Sequence, residues 1–435
     1  MSKQNSPNFP IIRLPVAETE PLPFVYRVKL NHPYSAPIND IPGHIIGLLE
    51  KSKRLNTLPE GGSVAVTCGS RGIKSKPEIV RTAINWLKGR GLKPFIVPGM
   101  GSHGGSTADG QMQLLKELGF SEDTMGCPVK ATMDVVELGK TSHNIPVYFD
   151  QNASEADGVL VINRVKQHTS FPREIESGIV KMIAIGLGKA KGARLIHRLG
   201  PKGYSDVLPE CARVAIDKSN IAYGIGIVEN SHHEATFIEG AEPEDFHSVD
   251  SQLLIKAKEL LPKLPFGQID VLIVQELGKN ISGSGMDPAI SGRAEIRGKP
   301  NPDRPFVNKL VVLGVTPESH GNGLGIGAAD FTTKRVVDGL DLYAMYLNGT
   351  TATSVEKVGI PPVLADDSQA IRAAVASSWR LDGENARLCI IKSTLHLDEI
   401  LLSPSLVDDL GDYGSVISEK MNIEFDDLGN LVTKL

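Results

Sequence analysis

The sequence contains only four cysteines, and they lie far apart: Cys68, Cys127, Cys211 and Cys389. None belongs to a C-x-x-C pair, which argues against a disulfide framework, a zinc ribbon or a ferredoxin-type cluster. Free thiols used this sparingly are typical of a reducing compartment. Since the N-terminal residues also lack the apolar core of a secretory signal, the sequence predicts a cytoplasmic protein.

Long runs of one residue class are absent as well. No apolar stretch reaches the roughly eighteen residues that a membrane-spanning helix needs. The 51 acidic and 46 basic residues give a net charge of -5 and alternate without long single-sign runs. No nucleic-acid partner and no membrane partner are therefore expected. Internal repeats and low-complexity segments are also missing, so a folded globular protein remains.

Short apolar runs and helical patterns alternate in the first part of the chain. Strands are predicted at residues 63–68 and 93–97, with a helical pattern at 79–87 between them. A loop follows the second strand, and a helix is predicted to open at Ser106 with Asp109 as its capping partner. This order favours a parallel sheet, in which ligands bind beyond the carboxyl ends of the strands.

With 435 residues, 41% of them hydrophobic, the chain is long enough for two cores. We predict an α/β fold of two domains with mainly parallel sheets flanked by helices. Residues 1–265 are expected to form an N-terminal cofactor and catalytic domain. Residues 266–435 are expected to form a C-terminal α/β domain that closes the cleft, and the active site is expected in that interdomain cleft.

The loop at residues 98–105 is rich in glycine and contains one histidine. Backbone amides at Ser102, Gly104 and Gly105 could approach an anion closely, and the following helix would add partial positive charge. His103, at the mouth of the sheet, has the side chain of a general acid or base. The alternative is a loop histidine that only bonds its neighbours.

A second cluster follows the predicted strand at 158–165. Lys166 and His168 stand beside Arg164 at the end of this strand, which suits an anionic substrate such as a carboxylate. Lys181 is the only charged residue in an apolar, glycine-punctuated stretch. Desolvation there would lower its pKa and make the amine nucleophilic, whereas the alternative is a lysine that extends to solvent.

His197 follows the apolar Ile196, sixteen positions after Lys181. A neutral imidazole is the commonest protein metal ligand, so His197 is a candidate for that role. A lone histidine in such surroundings is also often structural.

Taken as a set, these residues resemble the lactate racemase family, whose members carry a nickel-pincer nucleotide. Order and approximate spacing are similar over about residues 60–200. The similarity is carried by Ser70–Arg71, the Gly-Ser-His-Gly-Gly loop at 101–105, Lys166–His168, the Ser-Gly-x-x-Lys-Met run that ends at Met182, and His197.

The resemblance implies a nickel ion held by a pyridinium-3,5-bisthiocarboxylic acid mononucleotide. Lys181 would anchor this cofactor through a thioamide, and His197 would be the protein's nickel ligand. His103 and His168 would be the two catalytic acid/base groups. The other cofactor contacts would come from Ser70, Arg71, Ser102, Gly104 and Gly105.

By the same resemblance the protein is an isomerase, a racemase or epimerase of a 2-hydroxy acid that meets cofactor-synthesis proteins transiently. Cys68 and Gly72 stand where the lactate enzymes have aspartate and proline, and the family's tyrosine-glutamine-lysine pattern is absent early in the second domain. These departures favour a larger 2-hydroxy acid over lactate. The candidate substrate contacts are Lys166, Lys279, Asn280, Arg293 and His320.

Two other functions remain open on the residues alone. A zinc-dependent hydrolase could use His103, His168 and His197 as a three-histidine site with an open water position. The chain could also be a non-catalytic nucleotide-binding or cofactor-carrying module.

Overall fold

The computed structural model describes residues 7–168, 173–298, 300–433 and 435. Two compact units are present: Pro33–Leu261, and a second unit that combines Met1–His32 with Pro262–Leu435. The predicted boundary at 265/266 lies close to the observed one between Leu261 and Pro262, but the predicted first domain also included residues 1–32, which belong to the second unit. That segment belongs to the C-terminal unit because its strand pairs with strands there.

The strands of the chain differ in length from two to nine residues. In chain order they are β1 (Tyr26–Leu30), β2 (Ser63–Cys68), β3 (Lys93–Pro98), β4 (Val135–Lys140), β5 (Pro146–Asp150), β6 (Gly158–Arg164), β7 (Ile221–Glu229), β8 (Ala235–Ala241), β9 (Gln268–Val274), β10 (Phe306–Val312), β11 (Phe331–Thr333), β12 (Val363–Leu364), β13 (Leu388–Ile391), β14 (Glu399–Leu402) and β15 (Gly414–Val416).

Helices alternate with these strands along both units. They are α1 (Pro15–Thr19), α2 (Ile41–Glu50), α3 (Lys53–Asn56), α4 (Lys76–Gly89), α5 (Ala108–Glu117), α6 (Glu122–Met125), α7 (Gln151–Ser154), α8 (Ile179–Lys181), α9 (Lys189–Arg198), α10 (Gly200–Lys202), α11 (Leu208–Lys218), α12 (Phe246–Glu259), α13 (Pro288–Ser291), α14 (Lys334–Asp338), α15 (Leu342–Thr351), α16 (Asp367–Ala376) and α17 (Pro404–Val407).

The first unit is built on a sheet of order β3-β2-β6-β7-β8 and a separate hairpin, β4-β5. The first four strands of the sheet are parallel, and β8 is antiparallel to β7. Side chains of β2 alternate between two cores: Val64 and Val66 pack with α2 and α4, whereas Ala65 packs on the other face. Burial on both faces explains why the middle of β2, residues 64–66, is continuously apolar. The predicted strands at 63–68 and 93–97 are confirmed.

The second unit has an eight-stranded sheet of order β12-β11-β10-β9-β13-β14-β1-β15. Its strands from β12 to β13 are parallel, and β14, β1 and β15 extend it with antiparallel pairs. The predicted α/β class with mainly parallel sheets is confirmed. Within the part of the chain that the structure describes, no helix is both long and apolar enough to cross a bilayer.

Strand β1 gives a direct test of this division. Val28 is fully buried in the core of the second unit, whereas its neighbour Lys29 faces outwards. We expect Val28→Ala to lower the free energy of unfolding by about 2 kcal/mol, because it removes buried methyl groups. Lys29→Ala, the matched control, should change it little. Hydrogen exchange measured by mass spectrometry should then be faster in β13 and β14. Faster exchange in β2 and β6 instead would contradict the assignment of β1.

Candidate active site

Three segments with chemically active side chains begin where parallel strands end. Ser70 and Arg71 follow β2, the 98–105 loop follows β3, and Lys166 and His168 follow β6. Because β3, β2 and β6 are neighbours in the sheet, these segments share its carboxyl edge. The fold therefore brings together segments that are far apart in sequence.

Lys181 ends the short helix α8, and the start of this helix is fixed by a buried carboxylate. Asp250 accepts a hydrogen bond from the Ile179 amide at 2.9 Å and another from the Val180 amide at 2.8 Å. The preceding Gly178 has a φ of 153°, and a Cβ there would lie 2.3 Å from Asp250 Oδ1. Glycine is thus required by space and conformation. Burial raises the pKa of Asp250 to about 7, although both amide bonds oppose this.

The environment of Lys181 is short of negative charge. Burial, together with the nearby cations Arg173, Lys166 and Arg71, lowers the pKa of its amine to about 7, while Glu176 acts in the opposite direction. Among the described residues, Lys181 makes neither a hydrogen bond nor an ion pair. A substantial fraction of the amine is therefore neutral and nucleophilic near neutral pH.

Tyr204 connects two of the predicted histidines. Its ring centroid is 5.3 Å from that of His168 and 5.5 Å from that of His197, on which it stacks with an interplanar angle of 20°. The guanidinium of Arg173 lies 5.1 Å from the centre of the same ring. Burial raises the pKa of the Tyr204 hydroxyl to about 12, so the ring is a neutral spacer.

His197 is held in the neutral form that metal ligation requires. Burial, together with the nearby positive charge of Lys181, lowers the pKa of its imidazole to about 4. At neutral pH at least one ring nitrogen therefore carries a lone pair. Lys181, His168 and His197, singled out from sequence, thus lie in one neighbourhood.

Glu176 organises the segment that carries His168. Its buried carboxylate accepts hydrogen bonds from the amides of His168 at 2.6 Å and Arg173 at 3.0 Å, and it pairs with Lys258 at 2.5 Å. The amides of His168 and Arg173 are therefore held by the same carboxylate.

A buried glutamine holds the loop that carries His103 through hydrogen bonds to its backbone. Gln111 donates to the carbonyls of Gly101 at 2.9 Å and His103 at 3.2 Å. The His103 Nδ1 lies 2.8 Å from the Met100 carbonyl, and its side chain is exposed. The helix after the loop begins at Ala108 with Thr107 as its cap, so the predicted start at Ser106 is wrong. Ser106 has a φ of 59° and belongs to the preceding turn.

The same loop presses against the residues that follow Lys181. A Cβ on Gly99 would lie 2.3 Å from Met182 Sδ, and one on Gly101 would lie 3.2 Å from the Ile185 carbonyl. This close approach places the 98–105 loop next to the Lys181 segment. The predicted roles of His103, Ser102, Gly104 and Gly105 towards substrate and cofactor stay predictions.

The predicted substrate residues of the second unit differ in how many contacts they already make within the protein. Arg293 donates to the carbonyls of Val307 and Asn308 and pairs with Asp330 at 2.9 Å, which fixes it structurally. Asn280 accepts from Thr316 at 2.7 Å.

The Lys279 amine donates to the Gly283 carbonyl at 2.9 Å, and His320 is exposed with a φ of 49°. Their contact with a substrate stays a prediction, as does the expected active site in the cleft. In the first unit, Arg71 and Lys166 are exposed at the carboxyl edge.

In the described part of the chain, no three histidine, cysteine or acidic side chains are grouped as a metal site. His103, His168 and His197 all fall within that part, so they do not form the three-histidine zinc site considered above.

Sequence patterns did not reveal four side chains that shape the site: Gln111, Glu176, Tyr204 and Asp250. One of them left a signal. Asp250 lies four residues after Phe246 and three before Leu253, on the buried stripe of α12. A carboxylate on an apolar helix face needs a buried partner, here the start of α8.

Comparison with known proteins agrees with this geometry. Residues 50–201 match the family model described as the lactate racemase N-terminal domain. Over this range the chain is similar to the N-terminal domain of the lactate racemase family. The matched range contains β2, β3, β6 and α8, and hence Arg71, His103, His168, Lys181 and His197.

A solved structure has the same fold. The lactate racemase apoprotein from Thermoanaerobacterium thermosaccharolyticum superposes with a TM-score of 0.52 at 12% identity, covering 85% of this chain and 99% of that chain. No curated protein sequence shows significant similarity to the chain.

The pKa of Lys181 gives a prediction that needs no substrate. A lowered pKa means that the amine is deprotonated above about pH 7, so its acylation rate should rise through that pH, well below the range of an ordinary lysine near 10.4. Lys166→Met removes a nearby cation and should move the midpoint upwards. Site-resolved mass spectrometry of brief acetic anhydride pulses measures this, with exposed lysines as the reference. A midpoint for Lys181 equal to theirs would contradict the assigned environment.

Proposed function

We propose that this protein is a racemase or epimerase of a 2-hydroxy acid that works with a nickel-pincer nucleotide attached to Lys181. At the level of the family, the match to the lactate racemase domain supports racemase or epimerase activity. The observation that carries the finer proposal is a nucleophilic amine, Lys181, close enough to a neutral imidazole, His197, to lower the pKa of that imidazole.

These residues fit the proposed group chemically. A thioamide needs a neutral primary amine, and Lys181 has one near neutral pH. A nickel ion needs a ligand lone pair, and His197 has one. Arg71 and the amides of the 98–105 loop would face the nucleotide part, because they follow β2, which adjoins β6, and β3, which adjoins β2. When bound, the pyridinium ring supplies a hydride acceptor.

The protein's own histidines are suited to moving the hydroxyl proton. Removing the proton from Cα would create a carbanion beside a carboxylate, and a histidine that titrates near 6.5 is badly matched to so weak an acid. A hydroxyl that loses its Cα hydride at the same time is far easier to deprotonate. His168 and His103 are the candidate bases, and one would serve each configuration.

The cations of the site would orient the substrate carboxylate. Lys166 is exposed at the carboxyl end of β6, close enough to Lys181 to lower its pKa. Arg71 acts on Lys181 in the same way from the end of β2. Two cations near the reaction centre would bind the carboxylate and also keep the amine neutral before attachment.

Cofactor attachment can be tested by mass. We expect protein made together with cofactor-synthesis proteins to gain the mass of the nucleotide, and Lys181→Ala to lose this gain because no amine remains. Lys191→Ala, an exposed lysine in α9, is the matched control and should keep it. His197→Ala should keep the organic mass but lose nickel during gel filtration. Equal mass gains in wild type and Lys181→Ala would rule out the anchor.

The reaction can be tested with isotopes. Lactate and larger 2-hydroxy acids, deuterated at Cα, should racemise in ordinary water with the deuterium retained, because a transferred hydride does not exchange with solvent. The mirror experiment, unlabelled substrate in D2O, should give product without deuterium at Cα. NMR and chiral chromatography follow both. Loss of label at the rate of racemisation would instead establish proton abstraction by two bases.

A further inference from the structure

Lys76 is a buried lysine that the proposed mechanism does not use. It is the first residue of α4, a helix of 14 residues, and only 1% of its surface is exposed. Among the described residues, its ammonium has neither an ion pair nor a hydrogen bond. It faces the ring of Phe120, with Nζ 5.9 Å from the ring centroid. A buried lysine is rarely left in this state.

The groups around Lys76 do not supply a negative charge. Cys68 in β2 is fully buried, and burial raises the pKa of its thiol to about 11, so it is neutral. Arg164 in β6 adds a second positive charge, and its own ion pair is with Glu229. Burial lowers the pKa of Lys76, and Arg164 lowers it further.

The ammonium points to the carboxyl edge of the sheet. A Cβ added to Gly69 would lie 3.8 Å from Lys76 Nζ, 3.6 Å from Asn163 Oδ1 and 3.3 Å from Met182 Cε. These distances bring the Lys76 ammonium, Asn163 and Met182 together around Gly69, where the ends of β2 and β6 meet the residue after Lys181. The two polar atoms among them are the Asn163 side-chain oxygen and the Lys76 ammonium nitrogen.

The helix adds to the positive potential. Lys76 is the first residue of α4, where the helix dipole favours an anion, and its own amide donates to the Ile73 carbonyl at 3.1 Å. We propose that Lys76 and the N-terminus of α4 form an oxyanion subsite beside Lys181, which takes a phosphate monoester or a carboxylate. Only the identity of that anion, cofactor phosphate or substrate carboxylate, rests on the proposed function.

Stability distinguishes this role from a structural one. If Lys76 only filled the core, its replacement would lower the stability of the fold. A lysine kept for a ligand costs stability while the site is empty, and replacing it with an apolar residue of similar length should stabilise the protein. We therefore expect Lys76→Met without cofactor to unfold at a higher temperature than wild type.

Binding is tested on the full chain without cofactor. Inorganic phosphate and lactate are titrated calorimetrically at constant ionic strength into wild type, Lys76→Met, Lys76→Arg and the control Lys88→Met, an exposed lysine of the same helix. We expect Lys76→Met to bind at least about tenfold more weakly, as for a lost charge-assisted bond, and Lys88→Met to bind like wild type. Should Lys76→Met not fold, Lys76→Gln replaces it.

The two titrations identify the anion. Weaker binding of phosphate alone assigns the subsite to a phosphate group, and weaker binding of lactate alone assigns it to a carboxylate. Unchanged binding of both anions in Lys76→Met, or no binding of either to wild type at millimolar concentration, overturns the proposal. Because no cofactor is present, these outcomes are independent of the mass and isotope tests of the proposed function.

Discussion

A single buried ion pair joins the parts of the first unit on which the site depends. Lys189 and Asp150 are both fully buried and lie 3.0 Å apart. Lys189 also donates to the Pro98 carbonyl at 2.8 Å and to Gln111 at 3.0 Å, and Gln111 in turn holds the carbonyl of His103. The hairpin β4-β5, the 98–105 loop and α9 therefore meet at one ammonium. Burial raises the pKa of Asp150 and lowers that of Lys189, and the charge of each residue opposes the shift of the other. Each charged side chain is therefore tolerated in the interior because the other is present.

The other cations of this unit are arranged differently. Lys189 has a carboxylate, whereas Lys181 and Lys76 have no acid bonded to them among the described residues. Lys189 and Lys76 are fully buried, and Lys181 is partly buried. An excess of uncompensated positive charge disfavours folding, and it is offset when an anionic ligand arrives. The proposed nucleotide and hydroxy acid, which carry several negative groups, would supply this compensation.

Much of the frame could be predicted from the sequence, because strands buried on both faces are continuously apolar, as in β2 and β6. Lys181 stood out for a related reason, as a lone charge in an apolar run. The partners of these residues could not be found in that way. Asp250 lies 69 positions from Lys181 in numbering, and Tyr204 acquires its role only when the chain after α9 returns to His197. Likewise, nothing in residues 1–32 shows that β1 joins the eight-stranded sheet of the second unit, because strand pairing over such a sequence distance depends on tertiary contacts.

The glycine loop shows how one pattern serves two physical needs. Glycines at 98–105 suggest backbone approach to an anion, yet Gly99 is required because Met182 Sδ occupies the place of a side chain. Met182 follows Lys181 directly, so the loop that carries His103 is packed on the residue next to the proposed anchor. A bulkier residue at position 99 would separate the candidate acid/base group from the amine, even with both side chains intact. Close packing of these two segments therefore explains Gly99 and Gly101, whereas Gly104 is confined by the backbone of Gly110 and Gln111.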